Sequence, residues 1–137
     1  MSGDESVVRG GCLCGAVSYA VTQPLVDADH CHCSLCRRQH GAAFSTYASV
    51  VPGSFAWVSG ENHVRTFETD SGAGWSFCEI CGSTLAGTDN GEVFAITLGT
   101  VQGDPGVRPG WHIFTGSKAE WHDITDTLPQ YTERKPE

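Results

Sequence analysis

The sequence predicts an all-β fold. Three observations carry that prediction: short stretches of alternating apolar and polar residues, turn signals between them, and few helix-favouring runs. The 137 residues, 17 of them glycine, suffice for one domain that buries roughly two thirds of its unfolded surface. A single domain over residues 1–137 is expected, with a core at about 7–131 and frayed ends at 1–6 and 132–137.

Taken in order, "AVSYAVT" places Val17, Tyr19 and Val21 on one strand face. "AFSTYASVV" places Phe44, Thr46, Ala48 and Val50 on one face and Tyr47 and Val51 on the other. "SFAWVSG", "VRTFET" and "GWSFC" give weaker strand patterns, and "EVFAITLGT" gives a strong one. The segments "QPL", "VPGS", "SGEN", "DSGAG", "TDNGE" and "QGDPG" supply the turns. Helical turns are expected only at "SLCRRQ" and near "SKAEW". No repeat, low-complexity tract or internal linker interrupts the pattern.

The formal net charge is −8, with eight Lys and Arg in all. That balance disfavours nucleic acid and anionic membrane as partners. No apolar run approaches the roughly 18 residues of a spanning helix, and the first twenty residues lack a secretory pattern. A cytoplasmic, reducing location is the expectation, in which seven cysteines read as metal ligands rather than disulfide partners.

The cysteines fall into three groups. "FCEICGS" carries Cys78 and Cys81 in a C-x-x-C turn, where both thiolates reach one metal and Gly82 takes the positive φ such turns need. A redox pair of that spacing expects a βαβ context, which the neighbouring residues do not offer. "GGCLCGA" supplies Cys12 and Cys14, and joining the two pairs gives a closed four-thiolate site. "DHCHCSLCRRQHG" then leaves Cys31, Cys33 and Cys36 on one short loop, one ligand short of closure. A metal there either keeps an open position, as catalytic zinc does, or is closed by His30, His32 or His40. Iron–sulfur spacings do not match C-x-C plus C-x-x-C.

These groups, with "GGCLCGAVSY", "DHCHCSLCRRQHGAAF", "FCEICGSTL" and "WHIFTGSKAEWHDITDTLPQY", resemble the glutathione-dependent formaldehyde-activating enzyme family, whose domain is shared with the centromere-protein-V group. The resemblance implies a β-tent of short antiparallel sheets holding two Zn²⁺ per chain. Cys12, Cys14, Cys78 and Cys81 would be the structural ligands and Cys31, Cys33 and Cys36 the catalytic ones. It also implies a carbon–sulfur lyase that adds glutathione, or a similar small thiol, to formaldehyde or a related small carbonyl. A non-catalytic zinc module binding glutathione or a protein partner is the competing reading. This chain is shorter than the enzyme that names the family, and loops are where such length is lost.

Beside the three-thiol group, Arg37 and Arg38 are candidates to receive a glutathione carboxylate or to balance local charge. His40 and His32 are candidates to shuttle the hydroxyl proton. His112, in the apolar run "WHIF", reads as a hydrogen-bonded structural histidine, and the four tryptophans as core or cleft walls.

Overall fold

The computed structural model describes residues 6–137. In chain order it contains strands β1 (Val8–Gly11), β2 (Ser18–Val21) and β3 (Ala28–Cys31), then one helix, α1 (Ser34–His40). Strands β4 (Ser45–Ser49), β5 (Phe55–Ser59), β6 (Val64–Glu68), β7 (Ala73–Cys78), β8 (Thr84–Asp89), β9 (Glu92–Thr97), β10 (Val101–Gln102) and β11 (Pro109–Ile113) follow. The fold is mostly β, as the alternation implies.

Two sheets form. One is four-stranded in the order β10-β1-β2-β5, and the other is seven-stranded in the order β11-β3-β4-β9-β8-β7-β6. Among the described residues the named strands pair antiparallel except β11 with β3, which run parallel. The core lies where the sheets face one another: Val17, Tyr19 and Val21 from the first meet Ala48, Leu85 and Ile96 from the second. Tyr19 packs over Gly10, where any β-carbon would collide with the tyrosine ring and hydroxyl. Asn90 and Gly91, both at positive φ, close the two-residue hairpin between β8 and β9.

Several elements depart from the sequence expectation. β3 lies within the segment read as a loop, and β1, β8, β10 and β11 were not anticipated. These strands carry too few apolar residues, or too many glycines, to alternate visibly. The run "LGT" ending the β9 stretch is a 3-10 turn, as are Glu61–His63 and Thr115–Ser117. Backbone bonds from His112 N to Pro129 O (2.9 Å) and from Tyr131 N to His112 O (2.9 Å) dock the C-terminal tail along β11, and Phe114 N donates to Glu133 O (2.9 Å) just beyond it. The expected fraying at residues 1–5 lies outside the described residues.

Candidate metal centre and cleft

The seven cysteines are free thiols gathered into two clusters, of four and of three. Cys12 and Cys14 sit on the turn after β1, in one sheet, while Cys78 ends β7 and Cys81 lies in the next turn, in the other. Gly15 N donates to Cys12 O (3.2 Å) and Gly82 N to Cys78 O (2.8 Å), folding each pair into a tight knuckle. Gly82 has φ +82°, the conformation that the C-x-x-C-G pattern anticipates. Leu13 N donates to Ser83 Oγ (2.9 Å), so one knuckle holds the other.

The sulfurs of Cys12 and Cys14 are 3.6 Å apart and those of Cys14 and Cys78 are 3.8 Å apart. Tetrahedral zinc with bonds of about 2.3 Å requires sulfur separations of about 3.8 Å. The donor set and its spacing fit a closed structural zinc. Because the ligands come from both sheets, a metal here would pin the two together.

The second cluster is built by a strand end and a helix start. Cys31 closes β3, Cys33 is the N-cap of α1, and Cys36 lies in its first turn. Extended backbone alternates, so Cys31 and Cys33 face one side and His32 the other. Cys36 N donates to Cys33 Sγ at 3.3 Å, which places the thiol where an N-cap oxygen usually sits. Hydrogen bonds from Cys31, and then from Cys36, hold the Cys33 thiol far below its ordinary range, while the same sharing pushes Cys31 up. Three sulfurs gathered at this spacing are a donor set suited to a thiophilic cation.

The three sulfurs lie within 4.8 Å of one another, and among the described residues no His, Asp or Glu ligand atom joins them at that spacing. Each of the three histidines that could have closed the site holds a partner with one ring nitrogen, and no ring nitrogen of the three joins the sulfurs. His30 Nδ1 bonds Thr46 Oγ1 (2.8 Å), His40 Nε2 bonds Tyr47 Oη (2.9 Å), and His32 Nε2 bonds His112 Nδ1 (2.8 Å). The site therefore offers three protein ligands and leaves a fourth position.

Ser45, which lies close to Cys36, also lines a cleft of about 530 Å³, a volume suited to a small ligand. Gln39 and His40 line it, one helical turn beyond Cys36. Ser45 is paired across the ladder with Cys31. Its Oγ is buried without a well-formed hydrogen bond, yet lies close enough to Cys36 to favour the thiolate. The far wall comes from Thr84, Thr97 and Thr100. Burial lowers the pKa of His40, and the nearby Cys33 thiolate partly restores it. A smaller recess of about 240 Å³ at Val50, Pro52 and Glu92 has no thiol or histidine in its wall.

Arg37 and Arg38 fall outside the cleft lining. Arg37 Nε donates to Ser117 O (3.1 Å), which ties α1 to the chain beyond β11, and Arg38 is exposed on the helix. Sequence reasoning missed Ser45 and the threonines, because four separate segments deliver them and none makes a motif. It also missed Asp126, whose carboxylate takes His112 Nε2 at 3.0 Å.

A family profile described as glutathione-dependent formaldehyde-activating enzyme matches residues 7–117. The chain belongs to this family. Both cysteine clusters of this glutathione-dependent formaldehyde-activating family member lie inside the matched span, whereas Asp126 and the docked tail lie beyond it. The fold is also similar to the crystal structure of a Rhodobacter sphaeroides protein determined in a structural genomics programme. That match has a TM-score of 0.57 at 23% identity and covers 70% of this chain and 89% of the other. At that identity it bears on the fold alone.

Proposed function

We propose that this protein is a zinc-dependent thiol-adduct synthase of the carbon–sulfur lyase class, joining a small thiol to formaldehyde or a related carbonyl. The observation that carries the reading is a three-thiol cluster with no fourth ligand among the described residues, next to Ser45 of a cleft lining. Zinc held by Cys31, Cys33 and Cys36 would take the substrate sulfur as fourth ligand and keep it as thiolate at neutral pH, where a free thiol is only a few per cent ionised.

The cleft walls fix the thiol beside the carbonyl, and orientation of that kind lowers barriers more than ionisation does. The carbon–sulfur bond forms as the carbonyl π pair moves to oxygen, and one proton completes the hydroxymethyl group. Among the described lining residues, His40 is the one titratable side chain and is assigned that proton. The four-thiol cluster is assigned a structural zinc, giving two per chain. A reducing, cytoplasmic setting belongs to the same proposal, because the seven cysteines are free thiols.

Formaldehyde labelled with ¹³C and a panel of thiols provide the test, read by exchange NMR. Adduct exchange faster than the uncatalysed rate, abolished by Cys33→Ser, supports the enzyme. Thiol binding without accelerated exchange would make the protein a binding module instead.

A further inference from the structure

We infer that the cleft beside Cys36 selects thiols with an uncharged polar body, carrying amide or hydroxyl groups, over thiols bearing carboxylates. The inference rests on the reading that this cleft receives the thiol, and it restricts which thiol that is.

Charge accounting leads there. Among the described residues, no Lys or Arg lines the cleft, and residues 1–5 contain neither. The chain has only eight such cations, and most are committed elsewhere. Arg65 and Arg108 pair with Glu79 and Asp104. Lys118 donates to the carbonyls of Ala119 and His122, and Lys135 lies over Trp111. Arg37 is bound to Ser117 O.

A carboxylate entering the cleft would therefore lose hydration without gaining a counter-charge from the lining, beside a zinc–trithiolate centre that would itself be net negative, in a chain of net charge −8. What the wall offers instead are neutral partners. Ser45, Thr46 and Thr84 bring hydroxyl-bearing side chains to the lining. Thr84 Oγ1 donates to Gln39 Oε1 (3.1 Å), which leaves the Gln39 amide hydrogens for a ligand acceptor. An amide or hydroxyl is satisfied by one such bond, and an unpaired carboxylate is not.

Calorimetric titration of the zinc-loaded full chain tests this with mercaptoacetamide and mercaptoacetate, which have the same number of non-hydrogen atoms. Affinities are referred to the thiolate concentration of each, which removes the difference in thiol pKa. The amide is expected to bind at least about tenfold tighter, and glutathione diethyl ester tighter than glutathione. Gly99→Lys, at a lining position where a β-carbon meets nothing within 4 Å, is expected to close most of that gap by supplying the missing cation.

Equal or tighter binding of the carboxylate by the natural chain overturns the inference, as does an unchanged ratio in Gly99→Lys. So does glutathione binding that depends on its carboxylates and is lost in Arg38→Ala, which would place that guanidinium over the cleft. Binding of both thiols with equal affinity removes only the charge preference. Binding of neither removes the thiol site itself.

Discussion

His32 Nε2 and His112 Nδ1 lie 2.8 Å apart in the interior, with both residues buried and Asp126 on the far side of His112. The carboxylate accepts from His112 Nε2–H, and with His112 as a neutral ring its Nδ1 accepts from His32 Nε2–H. This leaves His32 Nδ1 unprotonated and without a partner, between two thiols of the open cluster in sequence. Burial first, then the neighbouring His112, holds His32 at a pKa of about 4, consistent with a neutral ring. Two-bond ¹⁵N–¹H spectra are expected to show both histidines as Nε2–H tautomers. Asp126→Ala should mix the His112 tautomers and lower stability slightly, whereas a His112 Nδ1–H signal in the natural chain would break the deduction.

The two clusters should respond differently to losing a thiol. A structural zinc can contribute about 10–16 kcal/mol, against a total domain stability of about 5–15 kcal/mol. Cys81→Ser, which opens the cluster joining the two sheets, is expected to give unfolded or insoluble protein. Cys33→Ser should fold with one zinc fewer, because serine keeps the N-cap of α1. Metal analysis and thermal melting check both, and a cooperatively melting Cys81→Ser protein with full zinc would overturn the pairing of sites.

Alkaline stability reports on the core. Burial pushes the Tyr19 phenol up to about 12, and its hydroxyl is hydrogen-bonded to Thr100 Oγ1 at 2.8 Å. The unfolded chain ionises this group near pH 10 and the folded chain does not, so stability falls as pH rises from 10 towards 12. The loss from this group is on the order of 2 kcal/mol. Burial, and then the neighbouring thiolates, push Tyr47 in the same direction. Tyr19→Phe should flatten much of the alkaline limb in denaturant titrations, while costing about 1 kcal/mol at neutral pH for the lost bond.

Sequence patterning revealed those parts of the fold where apolar residues alternate. Val17, Tyr19 and Val21 predicted β2 and its buried face, and all three are at most 1% exposed. β3 stayed hidden because its central residues, Asp29 and His30, are polar and half-buried. β8, "TLAGTD", is buried by its neighbours in the sheet rather than by bulk of its own, so small residues suffice there. The cysteine clusters were legible because ligand number and spacing are chemical constraints that survive any strand assignment. The cleft was not legible, since Ser45, Thr84 and Thr97 come together only through sheet register.

The central claim is that a thiol enters at Cys31, Cys33 and Cys36 as the fourth ligand. Cobalt in place of zinc makes this visible. Glutathione and mercaptoacetamide are titrated into the cobalt-loaded protein, each beside its S-methyl ether, which cannot form a thiolate. The account predicts that the ligand-field bands of the three-thiol site shift and strengthen with the binding thiol as S₃O becomes S₄. The four-thiol site stays constant and the ethers have no comparable effect. A thiol that binds the protein by calorimetry yet leaves the cobalt spectrum unchanged would contradict direct coordination.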